Sequence, residues 1–282
     1  MAGDRIIALQ PRTASVPRPH HMTAASATPT ATAKMLPVHI CVRQTLAWDD
    51  AALVSAGLHP RFQQKYDTWN ATLTMPYRVF RQRLTEIARL NISRVDGAVS
   101  SSIDDVPAGH LIVPVDDDDW FAPDLVAHLR RTDDSHAVAF LWSQATLQPE
   151  SPLAPFRRHI ARLVGRRDKH VCKTCNYALR QQPSLTPLLS NHVHASRYVD
   201  AHPAQVRRLP PTLSIQNRSL ASQTTLAWGQ PTIHPARLIA LVAKYRGLYT
   251  AWHPPDGLQW AVPYVRLMAE LMTEIRVRPD HP

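Results

Sequence analysis

The order of apolar and polar positions divides the chain into alternating strand and helix signals. "LPVHICV" alternates and is rich in β-branched residues, which predicts a first strand from Leu36. "YRVFRQRLTEIARLNI" places Val79, Phe80, Leu84, Ile87, Ala88 and Leu90 at helical spacing. "HLIVPV" is a short apolar run and predicts a buried strand, followed by a helix over "APDLVAHLRR". "HAVAFLW" and "PTLSIQN" read as further strands, and "APFRRHIARLVGRR" as a basic amphipathic helix. "HPARLIALVAKYRGLY" and "PYVRLMAELMTEIRV" predict a helical C-terminal part that begins near residue 233. Strands alternating with helices predict an α/β domain whose sheet is mostly parallel and flanked by helices. No internal repeat is visible.

Before Leu36 the pattern stops. Residues 1–34 are dominated by Ala, Thr, Pro, Ser and His, a composition that cannot bury a core. The expectation is a disordered tail over 1–34 and one folded domain over 35–282. Hydrophobic content of 44% is enough for a sizeable core in that domain.

Charge narrows the partners. The formal net charge of +10 suits an anionic partner such as a phosphorylated substrate, an acidic membrane surface or nucleic acid. Three cysteines cannot form a disulfide framework and fit a reducing compartment. No apolar run approaches the ~20 residues that span a bilayer. The expected location is cytoplasmic, with peripheral contact at the inner face of the membrane. Residues 156–169 carry the basic cluster that would make that contact, with Arg157, Arg158, Arg162, Arg166, Arg167 and Lys169 beside an apolar stripe.

The stretch "LIVPVDDDDWFAPD" holds the sharpest chemical signal. Four aspartates, Asp116 to Asp119, follow a buried-looking strand and precede a helix start. In open α/β sheets ligands bind at the carboxyl ends of strands. Four like charges there are costly unless a cation neutralises them. In an extended stretch alternate side chains share a side, so Asp116 would converge with Asp118, and Asp117 with Asp119. Hard carboxylate oxygens suit Mg²⁺ or Mn²⁺, which typically also bind substrate phosphates. The bland alternative is a solvated acidic turn above a core pair, Trp120 and Phe121.

These residues resemble a family. "VPVDDDDWFAPD" looks like the Asp-x-Asp region of nucleotide-sugar glycosyltransferases of the GT-A fold, a Rossmann-like α/β architecture. "CNYALR" at 175–180, "SNHVHA" at 190–195 and "LSIQNRSLASQT" at 213–224 are similar to segments of rhamnosyltransferase-like bacterial proteins. The opening "VHICVRQTLAWDD" departs from the "PTYNR" type of many relatives. The resemblance implies a metal-dependent hexosyltransferase. It would move a sugar from a nucleotide-diphosphate donor to a hydroxyl of a cell-envelope or lipid-linked glycan, with Mn²⁺ or Mg²⁺ as cofactor. Asp116 and Asp117 would face the donor. Asp118 would be the primary metal ligand, with Asp116 and Asp119 beside it and His192 and His194 as further ligands. Asp200 and Glu150 are candidates for the base that deprotonates the acceptor, Asp200 being preferred. Trp120 is expected in the core rather than against the sugar.

A reading from another class rests on Cys172 and Cys175. With His192 and His194 they form C-x2-C-x16-H-x-H, which has four potential zinc ligands. Zinc and the positive charge together would suit a non-catalytic basic protein that binds zinc or nucleic acid. The terminal H-x-H spacing differs from the usual zinc-finger pattern and no nucleic-acid motif is present, so a nucleic-acid partner is the weaker expectation.

Overall fold

The computed structural model describes residues 36–43, 59–100, 102–132, 136–147, 161–163, 172, 175–190, 192–220 and 233–279. The expected tail, Glu150 and most of the basic cluster at 156–169 lie outside them. Eight strands and seven α-helices are described. In chain order they are β1 (Val38–Arg43), α1 (His59–Thr72), α2 (Tyr77–Ile92), β2 (Ala98–Ser100), β3 (Leu111–Asp116), β4 (Trp120–Phe121), α3 (Leu125–Arg131) and β5 (Ala139–Leu147). Then follow β6 (Ala161–Leu163), β7 (Tyr177–Arg180), α4 (Thr186–Ser190), α5 (His192–Ala201), β8 (Val206–Asn217), α6 (Pro235–Ala251) and α7 (Val262–Glu274).

The sheet runs β2-β1-β3-β7-β5-β8-β4, with β6 on β5. It is mixed where a mostly parallel sheet was expected. The pairs β1–β2, β1–β3 and β5–β8 are parallel, and β3–β7, β5–β7, β4–β8 and β5–β6 are antiparallel. Hydrophobic periodicity marks a strand but not its direction. The alternation of helix and strand breaks after β5, where β6 and β7 follow with no helix among the described residues. A parallel partner needs a crossover, which a helix usually supplies, so strands without one tend to pair antiparallel.

The basic segment is a second correction. It was expected to be helical, but Ala161–Leu163 is a strand, paired from Ala145↔Leu163 to Leu147↔Ala161. An open edge of β5 offers a ladder of hydrogen bonds that outweighs a weak local helical preference.

Alternation along the strands sorts two cores. Val38, Ile40, Leu111, Val113, Val115, Phe140 and Trp142 face α3 and the end of α2. Cys41, Ile112, Leu141, Tyr177 and Leu179 lie in a separate cluster with α4 and α5. A third core joins α1, α2, α6 and α7 and reaches the sheet at Trp120, Ala145, Leu147 and Ile215. The helical C-terminal part therefore packs at the β8–β4 end of the sheet.

Two features position the candidate site. β1 lies between β2 and β3, so the chain leaves it on one side and returns on the other. That is a topological switch point, and the carboxyl ends of β1 and β3 meet there in register, Arg43 opposite Asp116. The buried stripe of α2 is the second feature. It comprises Tyr77, Phe80, Arg81, Leu84, Ile87, Ala88, Asn91 and Ile92, so two strongly polar side chains enter the interior from one helix.

Candidate functional site

The acidic run is a turn, not an extended stretch. β3 ends at Asp116, the Asp119 N–H donates to the Asp116 carbonyl at 3.2 Å, and Trp120 and Phe121 pair with Ile215 and Ser214 of β8. The strand alternation invoked above therefore does not apply. Burial sorts the four carboxylates instead. Asp117 and Asp119 are 2% and 1% exposed, whereas Asp116 and Asp118 remain partly accessible.

Each inward carboxylate has a partner. Arg81, 3% exposed, donates from Nη2 to Asp117 Oδ1 at 2.9 Å, and its Nη1 stands 3.6 Å from Asp118 Oδ2. Asp119 Oδ1 accepts the Asn217 N–H at 3.0 Å. Ser219 Oγ donates to Asp118 Oδ2 at 3.4 Å. Asn217 Oδ1 in turn accepts the Tyr249 hydroxyl of α6 at 2.8 Å. From α2, Asn91 takes the place of a neighbouring strand. Its Oδ1 accepts the Phe121 N–H at 2.7 Å and its Nδ2 donates to the Phe121 carbonyl at 2.8 Å. A buried amide pairing both backbone groups of one residue fixes the strand that leaves the turn.

Electrostatics follow from this packing. Burial pushes the Asp118 carboxyl up to about 7; Arg81 opposes the shift, Asp117 and Asp116 add to it, and Ser219 opposes it. Tyr77 rises to about 12 through burial, with Arg81 pulling down and Asp117 and Asp118 pushing up. Burial also holds the Tyr249 hydroxyl well above its ordinary range, helped by Tyr245 and Asp118. One buried guanidinium thus answers part of the charge.

The other expected ligands are placed elsewhere. His192 and His194 lie on α5, which packs with the core cluster of Cys41, Ile112 and Tyr177. Arg81 of α2, Asn217 of β8 and Ser219 just beyond β8 contact the acidic turn. Positions two apart on a helix point ~200° apart, so the two imidazoles do not converge. Asp200 is exposed near the end of α5, and its charge bears on Cys172. Trp120 is 1% exposed and packs against Tyr264, a core position.

The cysteines do not form a pair. Cys172 belongs to the cluster under α4 and α5, while Cys175 belongs to the other one, with Phe140 and Trp142. Cys172 donates its backbone N–H to Ser196 Oγ at 2.9 Å, and burial pushes its thiol up to about 12. Burial also holds Cys175 well above its ordinary range. Among the described residues no group of three or more His, Cys, Asp or Glu is arranged to hold a metal.

Sequence reasoning missed Arg81, Asn91, Asn217, Ser219 and Tyr249. A signal existed for the first two, since both are polar letters on the apolar stripe of α2. No family model matches the chain, and no curated protein matches it.

Proposed function

We propose that the acidic turn receives the diphosphate of a nucleotide sugar together with a divalent cation, and that the protein is a glycosyltransferase acting on a hydroxyl acceptor. The observation that carries this reading is the placement of Asp116 and Asp118. They are the less buried pair of the four carboxylates; Asp116 ends β3 beside the end of β1 at the switch point, and Asp118 lies two residues on in the turn. Ligands of open α/β sheets bind at that place.

The donor set suits a hard divalent cation. Mg²⁺ keeps several waters and is held by one or two carboxylates plus substrate phosphates, so two carboxylates suffice. Asp116 and Asp118 would hold it. When bound, the cation offsets the negative charge that grows on a departing diphosphate. The chain's own residues set up the turn. Arg81 keeps Asp117 buried beside its countercharge and leaves Asp118, at the longer distance, as the carboxylate to be shared. Asn217 holds Asp119, and Asn91 holds Phe121, so the turn is rigid before ligand arrives. Such preorganisation lowers the entropic cost of binding.

A thermal-shift panel tests the reading. UDP-, GDP- and dTDP-sugars are each added with and without Mn²⁺. At 100 times Kd a ligand adds about 2.7 kcal/mol, a shift of about 5–11 °C for a domain of this size. One nucleotide should give that shift with Mn²⁺ and not without it. No shift across the panel, or one equal with and without metal, contradicts the reading.

A further inference from the structure

We infer that the C-terminal helix α6 is a working part of this site and that Tyr249 is its positioning residue, an inference that rests on the donor-site reading. A single corner at the end of β8 touches two of the four carboxylates. The Asn217 N–H donates to the inward Asp119 at 3.0 Å, and Ser219, two residues on, donates to the outward Asp118 at 3.4 Å. The same corner is tied to the sheet by the Arg218 N–H, which donates to the Leu147 carbonyl at 3.1 Å.

A hydrogen bond ties this corner to the helices. Tyr249 donates its hydroxyl to Asn217 Oδ1 at 2.8 Å in a buried setting. The other end of that amide, Nδ2, is buried and makes no hydrogen bond. Without the hydroxyl both ends of the buried Asn217 amide would lack this chain's partners. A buried unpaired polar group is costly, so the side chain would turn to find a partner and carry its backbone with it. The N–H that holds Asp119 would then move, and Ser219 with it.

α7 braces the same turn from the next position. Tyr264 packs on Trp120, the residue directly after Asp119, with ring centroids 5.8 Å apart. Both C-terminal helices therefore bear on the turn, α6 through Asn217 and α7 through Trp120. Burial holds the Tyr249 hydroxyl above its ordinary range, which favours the form that donates. Tyr249 does not need to touch a ligand to act. By linkage, a ligand that requires the ordered turn also tightens the contact between α6 and β8.

Tyr249→Phe removes the hydroxyl and keeps the ring, so packing is preserved. Tyr245→Phe is the control, a buried phenol one turn earlier on the same helix. Two quantities are measured on the full chain: hydrogen-exchange protection of the Asn217 amide, and affinity for UDP, GDP and dTDP in the presence of Mn²⁺ by calorimetric titration. Tyr249→Phe should lower Asn217 protection and weaken binding about five- to tenfold, the worth of one buried hydrogen bond. Tyr245→Phe should change neither, whatever it does to the melting temperature. Unchanged Asn217 protection in Tyr249→Phe overturns the inference without any ligand. Wild-type affinity in Tyr249→Phe, with a wild type that binds, overturns the role of Tyr249 alone. A wild type silent to all three nucleotides overturns the donor reading itself.

Discussion

The strands β1 and β3 carry polar clusters at both ends, and the two ends solve opposite problems. At the amino end, His39 of β1 shares a hydrogen bond of 2.9 Å with His110, just before β3, and another of 2.8 Å with Ser100 of β2. His39 links the two other side chains, one through each ring nitrogen. At the carboxyl end, the buried guanidinium of Arg81 stands against Asp117 and Asp118. The first joins side chains that can be neutral, whereas in the second Arg81 reaches Asp117 at 2.9 Å and Asp118 only at 3.6 Å. On the proposed reading, Asp116 and Asp118 are where a cation from solution would add to what Arg81 supplies.

The most disruptive way to break the comparison is Arg81→Met. It leaves Asp117 buried without its countercharge, and removing one partner of a buried pair costs about 3–5 kcal/mol. Chemical denaturation should show that loss for Arg81→Met. An equally large loss for Ser100→Ala, whose partner is neutral and half-buried, would erase the difference between the ends. Asn91→Ala comes next. It orphans the N–H and carbonyl of Phe121, and the expected loss is about 2–4 kcal/mol by the same measurement.

The two ends also predict opposite responses to pH. The folded chain holds the Asp118 proton more tightly than the unfolded chain, with a pKa of about 7 against 3.8. Stability from this group is therefore present below pH 4 and is lost as pH rises towards 7. Asp118→Asn should flatten that decline, raising the melting temperature at pH 7 relative to pH 4 by a few degrees over wild type. His39 runs the other way. Burial, then His110, lowers its pKa below 6.5, so the unfolded chain takes up a proton that the folded chain refuses. Stability is lost as pH falls below 6.5. His39→Gln should remove that acid-side loss, a smaller effect because the group is partly exposed. A matching slope at both ends would show that the charges are not distributed as described.

Much of the fold was legible in the order of residues. The helix expected over "YRVFRQRLTEIARLNI" is α2, Tyr77–Ile92, and the C-terminal pair is α6 and α7. These are long elements with dense apolar stripes. α1 was missed for a physical reason. The positions it buries include Lys65, Trp69 and Thr72, so its helical spacing is written largely in polar letters. β2 and β4 are three and two residues long, too short to show a period. The antiparallel sense of β7 depends on its neighbours and has no local signature.

The site divides in the same way. The apolar run ending in carboxylates was readable as a strand end, and Arg81 and Asn91 were readable as polar interruptions of a buried stripe. The contacts of Asn217 with Asp119 and Tyr249 span 98 and 32 residues and leave no trace in the local pattern. His192, His194 and Asp200 were placed by resemblance, and they lie on a helix of a different core. Among the described residues no helix is long and apolar enough to cross a membrane.

On the proposed reading Asp116 and Asp118 serve a cation and a diphosphate. Calorimetric titration of a nucleoside diphosphate with Mn²⁺ into wild type and Asp118→Asn tests it most directly, the choice among UDP, GDP and dTDP being set by the thermal panel. Wild type should bind only when Mn²⁺ is present, and Asp118→Asn should lose at least about 100-fold in affinity while remaining folded, the upper end of what losing a metal-site partner costs. Equal affinity in the two proteins, or wild-type binding that ignores Mn²⁺, would contradict the account.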